Sequence, residues 1–251
     1  MVGSTQSISD PNVVLNTIVA DVFADVCDRL EKVEGGVEAV AMEAHEITKE
    51  LLTQHQRVIF NGNGYSDEWV AEAERRGLPN IKCMVDAVPA LVKPEAVEIF
   101  EKHGVYTKAE MESRAEVMYE TYSKTINIEA LTMIDMAKKQ IVPATIKYQT
   151  SLAESVNAIK AASSAVDTSV QEALMADIST NLKDMYVALA HLEEVAGKAE
   201  AMEEGAEQGH YYHDVVFTAM DELRKPADKL EMLVAKSAWP FPSYGDLIFE
   251  V

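Results

Sequence analysis

TKAEMESRAEVMYETYSKTINIEALTMIDMAKKQI, residues 107–141, decides the fold class. Thr107 and Glu110 stand three apart, as a reciprocal helix cap requires. Met111, Ala115, Met118, Tyr122, Ile126, Ala130, Met133, Ala137 and Ile141 then recur at steps of three and four, the period of one face of an α-helix. The spacing predicts a single long helix. Pro143 falls inside the continuing pattern of Ile146, Ala153, Val156 and Ile159, so the chain either kinks there or starts a new helix, and a kink is the expectation. A fresh start at Asp167-Thr168 leads into Ile178, Leu182, Met185, Leu189, Leu192, Ala196 and Ala199, a near-heptad spacing suited to antiparallel packing, with an end expected near Gly205. From His210 onward Val216, Met220, Leu223, Ala227, Leu230 and Val234 repeat the pattern, with a bend expected at Pro226. Long helices joined by short connections predict an all-α fold, a bundle or hairpin of antiparallel helices.

The first hundred residues read the same way. Asp10 caps and Pro11 opens a helix that aligns Leu15, Ile18, Val22, Val26, Leu30 and Val33 before Gly35-Gly36 stops it. A second helix runs from Val37 to the Gln56 region, and Asn61-Gly62-Asn63-Gly64 forms a loop. Ser66 caps a short helix ending at Gly77, and residues 78–106 are irregular apart from an amphipathic helix from Pro94 to Lys102. The C-terminal stretch, with Trp239, Phe241, Tyr244 and Phe249 among prolines, is too apolar for a solvated tail and reads as a docking segment for the bundle or another domain.

Composition bounds the function. Acidic residues outnumber basic ones by 42 to 22, a formal net charge of −20, which repels phosphate backbones and anionic lipid, so no nucleic acid and no membrane partner is expected. Two cysteines, Cys27 and Cys83, stand outside any metal or disulfide spacing, and with no export signal a cytoplasmic location is expected. His45-Glu46 lacks the second histidine of a zinc motif, because Lys49 occupies that position. His210 and His213, at i and i+3, are the one spacing that can serve a metal, though a helix-start or surface role is the plainer reading. The loop at Asn61–Tyr65 lacks the lysine of a phosphate-binding loop. Bottom-up, the residues describe a helical module without a catalytic constellation of its own.

Three stretches carry a resemblance: VGSTQSISDPNVVLNTIVA (2–20), KTINIEALTMIDMA (124–137) and WPFPSYGDL (239–247), with Asn61 to Pro79 similar too. Together they resemble the C-terminal region of type III glutamine synthetases, with Thr5 departing from the usual serine. The resemblance implies a parent enzyme of nitrogen metabolism that joins ammonia to glutamate through γ-glutamyl phosphate. It implies ATP and magnesium (or manganese) in that parent, and a double-ring homo-oligomer. The metal-binding glutamates and phosphate-contacting arginines of the family lie before the matched region, so no cofactor is expected on this chain. The expected division is a remnant of the catalytic domain at residues 1–34, with Gly3, Ser4 and Gln6 either rimming the parent active site or forming a structural turn, and a helical extension at 35–251. Its partner would be the catalytic domain itself. The chain alone is then expected to be structural and non-catalytic; a free-standing acidic interaction module is the alternative.

Overall fold

Thr107 and Glu110 form the cap their spacing demands: the Thr107 N–H donates to Glu110 Oε2 at 2.8 Å and the Glu110 N–H donates back to Thr107 Oγ1 at 3.3 Å. In the computed structural model, which describes residues 7–249, the chain is helical throughout, with no strand among the described residues. The elements are α1 (Ser9–Leu30), α2 (Val37–Gln54), α3 (Asp67–Arg75), α4 (Met84–Ala87), α5 (Pro94–Lys102), α6 (Lys108–Met136), α7 (Val142–Ala162), α8 (Ser169–Glu200), α9 (Ala206–Tyr211), α10 (Phe217–Leu233) and α11 (Tyr244–Phe249). They fall into two units, Met1–Ala115 and Glu116–Val251, whose boundary lies inside α6.

In the second unit α8 runs antiparallel to α7. Lys160 pairs with Glu172, Gln149 bonds Met175 and Ser179, and Lys138 pairs with Glu193, so partner numbers rise on one helix as they fall on the other. A loop at residues 201–205 returns the chain through α9 to α10, which lies along α8. The core is the stripe the spacing predicts: Ile178, Met185, Leu189, Leu192 and Ala199 of α8 are at most 1% exposed and interlock with Leu223 and Leu230 of α10. The α8 start is capped one residue earlier than Thr168, because Asp167 Oδ1 accepts from the Ser169 N–H at 2.9 Å. At its end the buried Gln208 amide donates to the Ala199 carbonyl at 3.0 Å, beside the bond that carbonyl accepts from the Met202 N–H.

Two prolines behave differently from a simple break. Before Pro143 the helix widens into a π turn, Ala137–Ile141, in which the Val142 N–H reaches back to the Ala137 carbonyl. Widening relieves the clash between a proline ring and the carbonyl four residues earlier, so α6 and α7 continue one another through the turn. A second π turn, Tyr212–Val216, joins α9 to α10, and Pro226 is buried within α10.

In the first unit Ile47, Val85, Val88, Phe100 and Met111 are buried, and ion pairs tie α1 to its neighbours. Asp21 of α1 accepts from Lys102 Nζ at 2.8 Å and lies 2.9 Å from His103 Nε2, and Arg29 donates to Glu43 and Glu50 of α2, both at 2.8 Å. Ser66 caps α3 by accepting from the Trp69 N–H, and Gly77 ends it at φ +70°, a conformation cheap only for glycine. Residues 78–106, expected to be irregular around Pro94–Lys102, also contain the single turn α4.

Candidate functional site

Helix α1 carries its polar and apolar faces in an unusual arrangement. The side facing its own unit holds Val13, Thr17, Asp21 and Ala24, with Thr17 3% exposed and its hydroxyl bonded to the Val13 carbonyl. The opposite side presents Leu15, Ile18, Val19, Val22 and Phe23, each between 48% and 64% exposed. The positions follow i, i+3, i+4, i+7 and i+8, so this is a continuous apolar stripe on solvent. Val19 and Phe23 extend the stripe read from Leu15, Ile18 and Val22; the i+4 step from Leu15 through Val19 to Phe23 was the signal for them. Lys102, then His103, beside Asp21 hold its carboxyl below the ordinary 3.8, and Arg29 does the same for Glu50. Ion pairs through Asp21 and Arg29 thus hold α1 while the apolar residues from Leu15 to Phe23 stay exposed.

The loop after α2 is braced. Phe60 stacks on Trp69 with ring centroids 4.0 Å apart, the Arg76 guanidinium lies 5.4 Å over the Trp69 ring, and Arg76 Nη1 donates to the Ile59 carbonyl at 2.9 Å. A Cβ at Gly62 would sit 2.6 Å from the Phe60 ring, so a larger residue there would push the ring off its place on Trp69. Arg75 and Arg76 converge on Glu72 and hold its carboxyl down at about 2. Both guanidiniums are committed to this carboxylate, which leaves a braced turn in place of a phosphate cradle.

The histidine pair is split between elements. His210 lies on α9 and His213 in the second π turn; their rings sit 6.5 Å from Tyr119 and 6.4 Å from Tyr122, and His213 Nδ1 is 2.7 Å from Asp214 Oδ1. Among the described residues no group of three or more His, Cys, Asp or Glu is placed to hold a metal ion.

The tail divides into a docked and a projecting part. Trp239 and Phe241 meet edge to face at 6.2 Å and pack on the bundle core, whereas Phe249 is 81% exposed. Gly3, Ser4, Gln6 and the Tyr244 side chain lie outside the described residues. Between the two parts, Ser243 and Asp246 cap α11 reciprocally, with the Ser243 N–H donating to Asp246 Oδ2 at 2.8 Å, and Asp246 also pairs with Lys236. Lys236 first, then Ser243, hold the Asp246 carboxyl down at about 2. Because the folded value is depressed, the stabilisation is present above the ordinary 3.8 and is lost as pH falls toward about 2. A pH titration followed by NMR should show helical shifts for residues 244–249 unchanged from pH 7 to 4 and collapsing only below; loss beginning well above 4 would exclude Asp246 as the pin.

No helix among the described residues is long and apolar enough to cross a membrane. The profile of the glutamine synthetase C-terminal domain matches residues 43–160. A glutamine synthetase of Butyrivibrio fibrisolvens is 39% identical over 206 residues, covering 82% of this chain and 29% of the relative. The type-3 glutamine synthetase of Dictyostelium discoideum is 30% identical over 252 residues, covering 99% of this chain and 34% of the relative. A glutamine synthetase of Bacteroides fragilis is 28% identical across 98% of this chain. The chain thus spans about a third of the length of the curated relatives it matches. It belongs to the glutamine synthetase family and corresponds to the C-terminal region of the type III members.

Proposed function

We propose that this chain is the packing and assembly region of a cytoplasmic, homo-oligomeric, ATP-dependent glutamate–ammonia ligase, and that by itself it forms no glutamine. The observation that carries the reading is the α1 stripe: five large apolar residues exposed on a helix held by ion pairs, in a chain spanning a third of its relatives. A stripe of this kind on a well-held helix is a surface built to be covered. The catalytic portion of the parent enzyme is the cover we assign to it.

Transfer of a phosphoryl group from ATP to the glutamate carboxylate needs divalent metal and cationic side chains around the developing charge. The groups described here do not fit that task. No metal-ligand cluster is present among them, and Arg29, Arg75 and Arg76 are each engaged by nearby carboxylates. The purified chain, given glutamate, ammonium, ATP and magnesium or manganese, is expected to release no glutamine above a protein-free control; a clear rate would overturn the reading. The stripe has its own check. Ile18→Asp with Val22→Asp should leave helicity and melting temperature essentially unchanged, within about 0.5 kcal/mol per surface site, while sedimentation shows reduced self-association. A drop of many degrees would mean that the stripe is already buried in this chain.

A further inference from the structure

Two buried oxygens, one turn apart on α6, make no hydrogen bond within the chain. Ser123 is 4% exposed and its Oγ has no partner, and the buried Oδ1 of Asn127 has none either. Nothing in helix geometry requires this. Thr125 and Thr132 of the same helix donate to the carbonyls of Thr121 and Ile128, four residues back, at 2.8 and 2.7 Å. Ser123 has the same option in the Tyr119 carbonyl and does not take it, so its hydroxyl points away from its own helix backbone.

The pair lies on the packed side of α6. Tyr119, Ser123 and Asn127 follow one another by four and so share a face. The rings of Tyr119 and Tyr122 meet His210 of α9 and His213 of the second π turn. Ile126 and Ala130, on either side of Asn127, belong to the buried cluster that holds Ala199 and Tyr212. Polar atoms set into such packing are costly unless something bonds them.

The spacing gives the size of that something. Side chains at i and i+4 stand about 5–6 Å apart at Cβ. A hydrogen-bonded heavy atom lies about 2.7–3.0 Å from each partner, so a single atom spans the pair. Asn127 Oδ1 only accepts, so the bridging atom donates to it, and the Ser123 hydroxyl can serve as the second partner in either sense. A buried water takes roughly two to four polar partners, and this pair supplies two from one turn of helix. Thr145 is the contrast: its hydroxyl is also buried without a partner, but it lies on α7 and by itself offers one oxygen.

We propose that Ser123 and Asn127 hold one small hydrogen-bond donor of a single heavy atom, a water or an ammonium ion. The two have similar size and share the N–H or O–H that Asn127 requires. A net charge of −20 draws cations toward the chain, whereas two neutral oxygens offset the burial of a charge only in part. The site stands on these two oxygens alone, so its failure leaves the reading of α1 untouched.

The test uses the whole, unsubstituted chain, crystallised once without ammonium and once with thallium(I) acetate, whose cation matches ammonium in charge and approximate size. A rounded density peak about 2.7–3.0 Å from both oxygens, without anomalous signal in the thallium crystals, identifies water. Anomalous signal at the same point identifies a site for a cation of the ammonium kind. No peak there, or a Ser123 hydroxyl bonded to the Tyr119 carbonyl, overturns the proposal. A second measurement needs no crystal. Ser123→Ala and Asn127→Ala each break the same bridge, so the rise in unfolding constant of the doubly substituted chain should fall short of the product of the two single effects by about threefold or more. A double effect equal to that product overturns the proposal, because the two oxygens would then share no bonded atom.

Discussion

Tyr212→Ala is expected to destabilise the second unit by about 4 kcal/mol, within the range for removing a large aromatic side chain from a packed core. Tyr212 is 2% exposed in the π turn that joins α9 to α10, and it belongs to the cluster containing Leu189, Leu192 and Val216. The turn puts the ring against the core just where the α-helical step is interrupted, so no neighbouring side chain is in register to fill the space it would leave. Burial, followed by the nearby Glu200 charge, pushes its phenol above the ordinary range, so the ring is neutral across the physiological pH scale. Tyr212→Phe keeps the ring and should cost under about 1.5 kcal/mol, in line with the loss of one hydroxyl. Chemical denaturation followed by far-ultraviolet circular dichroism distinguishes the two. Equal effects of the two substitutions would show that the hydroxyl, and not the ring, matters.

Leu192→Ala should cost about 3 kcal/mol, within the range for removing a buried leucine side chain, and lower the melting midpoint by roughly 10 °C for a unit of this size. Leu192 has no exposure and sits in the C-terminal half of α8, where the packed core around it prevents collapse of the space it leaves. Val187→Ala, on the same helix but 63% exposed, is the matched control and should change the midpoint little. If Leu192→Ala melted with the control, α8 would not be the central helix of its unit.

The long helices were legible because their information is local. In α8, Ile178, Met185, Leu189, Leu192, Ala196 and Ala199 were all read from spacing, and all are buried. Caps were legible where the bond closes within three residues, as for Thr107 with Glu110 and for Ser66; Asp10 is the exception, because α1 starts at Ser9 with Ile8 at its N-cap and Asp10 lies inside the first turn, where its charge suits the helix dipole without capping. The π turns were not. A π turn leaves its buried positions at steps that an α-helix also shows, since Gln208, Tyr212, Val216 and Met220 follow one another by four, so the spacing carries no mark of the wider turn. Pro143 signalled trouble in the helix, but whether the backbone kinks, breaks or widens depends on the packing that holds both sides of it.

The docking surfaces divide in the same way. The apolar character of α1 and of the tail was evident from composition and period. Its destination was not. The stripe from Leu15 to Phe23 has the same helical spacing as the stripe on α8, yet α8's is covered and α1's is open. Trp239 and Phe241 lie on the bundle while Leu247, Ile248 and Phe249, a few residues on, face solvent. By itself the sequence determined that this chain is helical, where several of its caps and glycine stops fall, and which family it resembles, because caps, glycine stops and apolar periods act over three or four residues. The tertiary structure decided which apolar faces are satisfied and which remain open, because burial is a property of what lies opposite a side chain, and that partner is remote in sequence or belongs to another surface altogether.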